Sequence, residues 1–377
     1  MTRRRSPSAA HVTPRRAVLA TVAALAAAAP AHAAVSATIA SGALTVSGDG
    51  DTITVTCSGG NVKVSGADPA GGPAACTSVT SITVAGGAGA DSIFLGGVVP
   101  VLFTGNPTVT ADGGGGSDLI SGGELPETLR GGLGNDVVTA GGGNDVVQWV
   151  PGDASDLVEG GAGLDRLAFT GSAGAEIVTV TANGMRTRVQ RNVGGITMDL
   201  GGVETVEVDA LAGADQVTVT GLAGVADLAT VDVDGGDGDD ALSVQAWPGA
   251  TLVAGGNGVQ TAGDALTVSG TAAADAVTVG AGSITAGGAI TPTGVESLRV
   301  AGGGGADTIA LTGAVVPTTL DGEGDGDAYP VTFGAVGTFG RIEDSGAAGT
   351  DAVTVAACDG VSVSGTQVSR GAEAVAL

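Results

Sequence analysis

The chain has 377 residues, of which 70 are glycine and only eight are Phe, Trp or Tyr. A thick globular interior normally fills with such rings, so this composition favours an elongated repeat with a thin core of Val, Ile, Leu, Ala and Thr. Fourteen Lys and Arg against 39 Asp and Glu give a net charge of −25, a surface that repels nucleic acid and anionic lipid and attracts cations.

Residues 1–33 read as an export signal, with five arginines, an apolar stretch from Ala17 to Ala29, and the small-residue site Ala31-His32-Ala33 before Ala34. Sec export is favoured, and Arg15-Arg16 also permits the twin-arginine route. The apolar stretch is too short for a good membrane span and nothing later is longer, so the expectation is a secreted, extracellular protein without a transmembrane segment. Cleavage would remove five basic residues and no acidic one, which lowers the charge to −30. It would also remove both histidines, His11 and His32. A mature chain without histidine cannot run Ser-His-Asp or Cys-His chemistry, and it has no imidazole for an ordinary catalytic zinc site.

A first β-repeat is expected over 34–112, where Thr52-Ile-Thr-Val-Thr alternates with the period of two that marks a half-buried strand. Cys57 and Cys76 bracket a Gly/Pro-rich segment of this repeat and are the preferred disulfide pair, leaving Cys358 free or intermolecular. Three unpaired buried thiols are the alternative.

Six consecutive nonapeptides then fill 113–168 and fit G-G-x-G-x-D-x-U-x, where U is a large apolar residue. They are GGGGSDLIS from Gly113, GGELPETLR from Gly122, GGLGNDVVT from Gly131, AGGGNDVVQ from Ala140, PGDASDLVE from Pro151 and GGAGLDRLA from Gly160. Their acids are Asp118, Glu127, Asp136, Asp145, Asp156 and Asp165. The Gly122 unit departs most, with Leu125 and Pro126 in turn positions, and Trp149-Val150 is a two-residue insertion expected to bulge. Glycines at unit positions two and four allow positive φ and leave carbonyls open. In the regular units these are Gly114, Gly116, Gly132, Gly134, Gly141, Gly143, Gly161 and Gly163.

A longer repeat surrounds the array. Asp51, Glu176, Asp275 and Asp351 each head a similar Ile/Ala-Val-Thr-Val or Thr-Ile-Thr-Val strand, giving a second copy over 169–262, a third over 263–344 and a shortened fourth over 345–377. The second copy contains one perfect unit, GGDGDDALS from Gly235, whose acid, Asp240, is crowded by Asp234, Asp237 and Asp239 and is a further candidate metal ligand. Asp91, Asp215, Asp275, Asp307 and Asp351 lack an adjacent in-register unit and read as structural turns. The cluster Arg186-Thr-Arg-Val-Gln-Arg191 reads as a solvated strand or loop. No segment after the signal sustains a helical period, so the fold class is all-β, a parallel β-roll or β-helix solenoid.

Calcium takes six to eight hard oxygen ligands, which glycine-turn carbonyls and an aspartate carboxylate can supply together when turns stack. On these residues the array, 56 residues long, resembles the repeats-in-toxin, or hemolysin-type, calcium-binding family. The resemblance implies a parallel β-roll with two units per coil and an ion between units two apart. One edge would then align Asp118, Asp136 and Asp156, and the other Glu127, Asp145 and Asp165, with Asp136 and Asp145 shared between sites. The cofactor implied is Ca2+.

The function expected is calcium binding by a secreted structural or adhesive protein, with an extracellular or cell-surface polysaccharide as the possible partner. No enzyme is expected. The alternatives are a glycan-acting hydrolase or lyase on a β-helix, and a metal-free surface spacer.

Overall fold

The computed structural model describes residues 34–256, 260–314, 316–333, 340–343, 345–346 and 349–356, and the backbone of strands 361–364, 367–370 and 373–376. The export signal and Cys358 lie outside the described residues.

Short strands alternate between two sheets from one end of the described chain to the other. Leu119–Ser121, Val137–Gly142 and Leu157–Ala162 pair in parallel in one sheet, while Glu127–Leu133, Val146–Trp149 and Arg166–Thr170 pair in parallel in the other. One coil therefore contributes one strand to each sheet and consumes two nonapeptides. The sheet containing Glu127–Leu133 has 16 strands; it is called the first sheet below and its counterpart the second.

Alternation of the side chains makes the core. In every unit of the array the large apolar residue at position eight is buried: Ile120, Leu129, Val138, Val147, Val158 and Leu167. Val178, Val180, Val217, Val219, Val231 and Val233 continue the same interior through the second repeat. Each coil adds only three or four such side chains. Stability therefore rests on many stacked rungs, each of which touches its neighbours alone. No helix among the described residues is long and apolar enough to cross a membrane.

The rhythm is interrupted after Glu176, at the strand expected to head a second longer copy: the chain lays down an antiparallel meander, Ile177–Asn183, Arg186–Arg191 and Ile196–Gly201, within the second sheet. The meander's last strand joins the preceding coil at Leu157–Ala162, and its first receives the next coil at Gln216–Thr220. The third copy opens with a similar meander, Ala276–Val279, Ile284–Ala286 and Gly288–Thr293, but in the first sheet. The second sheet thus gains two strands over the first, and the first recovers them one copy later.

In the first copy the excursion is a hairpin, Thr52–Ser58 with Asn61–Val64, and the place of a third strand is taken by a loop tied through a Cys57–Cys76 disulfide. Reducing this bridge, or replacing both cysteines by serine, is expected to cost about 2–4 kcal/mol, read as a lower denaturant midpoint.

Two readings of the sequence are refined. The coil does widen at the Trp149-Val150 insertion, but Trp149 itself does not bulge. Trp149 completes strand Val146–Trp149, is buried, stacks on Phe169 at 4.2 Å and donates from Nε1 to the Ala154 carbonyl. The extra length is absorbed in the following turn, where Asp153 accepts from Val150 N and pairs with Arg130. The 186–191 cluster is a strand, as one of the two expected forms, with Gln190 exposed, but its two end arginines are paired rather than free in solvent. Arg191 is buried against the Glu176 carboxylate and lies 5.4 Å from the Trp149 ring centroid, while Arg186 pairs with Glu159 and Asp199. A lone buried Glu176 could not be carried by a thin apolar core, so its meander supplies the counter-charge.

Candidate metal centre

Each of the array's aspartates immediately precedes a strand and Glu127 is the first residue of one, so the stacking of strands stacks the acids. The geometry is repetitive. In the second sheet's edge Asp118 N donates to Asp136 Oδ1 at 2.7 Å, and Asp136 N donates to Asp156 Oδ1 at 3.0 Å. At the first sheet's edge Glu127 N donates to Asp145 Oδ1 at 2.8 Å, and Asp145 N to Asp165 Oδ1 at 2.9 Å. Both sets of three acids come together with the 18- and 20-residue offsets.

The ladders do not stop at the array. The first extends downward through Asp91, whose N–H donates to Asp118, to Asp51, whose N–H donates to Asp91. The second extends upward to Glu204, which accepts from Asp165 N. A third runs Glu176, Asp215, Asp240, Asp264, Glu296, and a fourth runs Asp275, Asp307, Asp327, Asp351, each N–H donating to the next carboxylate. The meanders explain the breaks, because each begins a new ladder with its own head residue. The acids taken as isolated turns are ladder members.

The carboxylates' second oxygens divide by position. The first acid of each ladder is satisfied locally: Asp51 by Asp49 N, Glu127 by Gly123 N, Glu176 by Arg191 and Ser172, and Asp275 by Thr271 N and its hydroxyl. Interior members differ. Oδ2 of Asp91, Asp118, Asp136, Asp145, Asp165, Asp215, Asp240, Asp307 and Asp327 is buried and has no hydrogen-bond donor among the described residues. The one interior exception is Asp264, whose Oδ2 accepts from Gln260. A buried carboxylate oxygen without a donor loses hydration that nothing in the protein replaces.

These oxygens lie beside main-chain oxygens. A Cβ placed on the first glycine of a unit would come closer than 3.0 Å to that unit's own Oδ2 and to a carbonyl oxygen of the next turn, as at Gly86, Gly113, Gly160 and Gly302. Positions two and four require glycine for another reason. Gly114, Gly116, Gly132, Gly134, Gly141, Gly143, Gly161 and Gly163 all have positive φ, and a Cβ on any of them would strike a backbone carbonyl of the turn below. Gly134→Ala is expected to cost about 1–3 kcal/mol for the left-handed geometry alone. Its collision with the Gly116 carbonyl adds to that loss, and chemical denaturation measures the sum.

Electrostatics sharpens the division. Burial pushes the Asp136 carboxyl up to about 6, and Asp145 and Asp156 up to about 7, with neighbouring carboxylates adding to the shift and the ladder N–H groups opposing it. Glu127 rises furthest, to about 8, chiefly from burial. Asp118, Asp165, Asp240 and Asp307 shift upward for the same first reason. Glu176 goes the other way, because hydrogen bonds from Arg191 and Ser172 outweigh its burial.

The donor set fits a hard divalent cation. It comprises carboxylate oxygens without donors and stacked glycine carbonyls, with no thiol or imidazole. Among the described residues no point gathers three or more His, Cys, Asp or Glu groups, so main-chain carbonyls must complete any shell. Glu127 fits least well: Gly123 N occupies both its oxygens, and neither Gly123 nor Leu125 takes the left-handed conformation of the regular turns. Asp156 closes the first ladder as its last acceptor, and Asp240 sits in the middle of the third.

The sequence matches no family model and no curated protein. Among solved structures, the crystal structure of extracellular lipase LipA from Serratia marcescens aligns with 76% of this chain and 42% of that chain, at 16% identity and a TM-score of 0.25. This chain thus spans less than half of that protein's length, and the lipase activity is a property of that protein.

Proposed function

We propose that the protein is a secreted, calcium-binding β-roll of the repeats-in-toxin type, with a structural or adhesive role outside the cell. The observation that carries the reading is the set of buried, donor-less Oδ2 atoms on Asp118, Asp136, Asp145 and Asp165, stacked in register, with the Gly131 and Gly202 carbonyl oxygens beside those of Asp118 and Asp165. A calcium ion between turns would supply the missing partner to each. The disulfide suits an oxidising compartment, as does the export signal read at 1–33.

Titration calorimetry of the chelator-treated protein with calcium chloride tests the reading. Asp136→Asn keeps the acceptor used by Asp118 N and removes the charge, so it should weaken the sites on either side of that rung. Absence of saturable calcium binding at millimolar concentration would sink the proposal.

A second reading, hydrolysis or lyase chemistry on a glycan, draws on the outer face of the first sheet. There Glu207 lies directly opposite Asp232 and Asp209 opposite Asp234, and burial raises Asp209 and Asp232. Like charges directly across neighbouring strands oppose folding, and paired carboxylates of unequal acidity are the equipment of glycoside hydrolysis. Activity on neutral and acidic glycans that disappears in Asp232→Asn would establish it; no turnover of any of them would dismiss it.

A further inference from the structure

We infer that the third and fourth ladders, which contain no tandem nonapeptide array, are calcium sites in their own right, centred on Asp215 and Asp240 and on Asp307 and Asp327. The inference rests on the calcium reading of the array and extends it to a part of the chain where the motif is nearly absent.

Four observations carry it. All four carboxylates are at most 2% exposed, and each has an Oδ2 without a donor among the described residues. Each accepts a neighbouring rung's N–H through Oδ1, so its orientation is the same as that of Asp136 and Asp145. A glycine precedes the oxygen in the same way: Gly235 lies against Asp240 Oδ2, and Gly302 lies against both Asp307 Oδ2 and the Gly322 carbonyl.

The turn backbone is also kept where glycine is not. Leu211 takes φ +70° in the Asp215 turn, and Glu323 and Asp325 take +68° and +71° in the Asp327 turn. Side chains rarely adopt this region, so the coil's stacking imposes the turn on residues that would not choose it. Spacing hides the sites from the sequence except at Asp240, whose own unit is perfect. Rungs here lie 20 to 39 residues apart, because loops and a meander intervene between acids that stack directly.

The fourth ladder carries its own reporter. Tyr329 is the chain's single tyrosine, and its hydroxyl accepts from Gly322 N at 2.6 Å, where Asp327 Oδ2 also approaches. Terbium, a luminescent stand-in for calcium, bound at Asp327 would be excited through that ring.

The test compares bound calcium per chain, by equilibrium dialysis, in three proteins: wild type, an array variant (Asp118, Asp136, Asp145 and Asp165 all to Asn) and a ladder variant (Asp215, Asp240, Asp307 and Asp327 all to Asn). With one ion per donor-less oxygen, the ladder variant should lose four of the nine sites, and the array variant should keep five, those four and the one at Asp91. Wild-type stoichiometry in the ladder variant, or no calcium left in the array variant, would overturn this inference and leave the array reading intact. No calcium on wild type would end both. Terbium emission on the wild-type protein gives the answer should a variant fail to fold: excitation of Tyr329 is expected to yield emission that falls in Tyr329→Phe and is displaced by calcium. No Tyr329-dependent emission would remove the fourth ladder from the proposal.

Discussion

Restoring millimolar calcium to the chelated protein near neutral pH is expected to raise its thermal midpoint by upwards of about 10 °C and to sharpen the transition. The argument is linkage. Calcium that binds between stacked turns has no site in the unfolded chain, so each ion at about ten times its Kd adds about 1.4 kcal/mol to folding. Several such sites together reach the whole stability of a marginal single domain. The opposing force is equally visible: donor-less carboxylates are stacked on consecutive rungs in a chain whose net charge is −25. Circular dichroism melts in chelator and in calcium measure the shift, and coincident curves would show that the ladders hold no functional ion. The same linkage gives export a direction, because a roll that is loose at low calcium would tighten outside the cell, where sites of this kind work at about 10⁻⁴ to 10⁻³ M.

Without calcium, stability should fall as pH rises from about 5 to about 8, the reverse of the usual acid denaturation. The sign follows from the carboxyls. Asp136, Asp145 and Asp156 ionise in the fold at about 6, 7 and 7, against an ordinary value of 3.8. Between those limits the folded chain holds more protons than the unfolded one, so raising the pH favours unfolding. Stability from these groups is complete below the ordinary value and lost as pH passes through the raised ones. Calcium should flatten or invert the trend, since it favours the charged carboxylates that protons otherwise neutralise. Thermal midpoints of calcium-free protein across this range test the sign, and a midpoint that climbs from pH 5 to pH 8 would contradict it.

Much of the array could be read from the residues and the family they resemble. A nine-residue period puts an acid at each sixth position, and the two units per coil that the resemblance implies place Asp118, Asp136 and Asp156 on one edge and Asp145 and Asp165 on the other, at offsets of 18 and 20 residues. The same local logic marks positions two and four, where only glycine takes positive φ without penalty. Glu127 was flagged by its own turn, since Leu125 and Pro126 replace the residues that open it, and its carboxylate folds back onto Gly123.

Asp91, Asp215, Asp275, Asp307 and Asp351 escaped that logic, because the signal is a distance in space rather than along the chain. Asp51 and Asp91 are 40 residues apart and adjacent in the ladder, and Glu176 and Asp215 are 39 apart and likewise adjacent. Arg191 escaped it too, since nothing local shows that a meander will fold it back under Trp149 and against Glu176.

By itself the sequence determined what is written within nine residues: the all-β class, the inward apolar position, the glycine turns, and the acid that opens each strand. Only the tertiary structure decided which of those acids stack, which are capped by Arg191, Thr271 or Gln260, and which keep an oxygen without a donor. The physical reason is that turn conformation is fixed by local sterics, whereas a shared site between rungs is fixed by strand register. In this chain register survives hairpins, meanders and loops of unequal length, because the strands they connect bury their valines and leucines in one continuous interior.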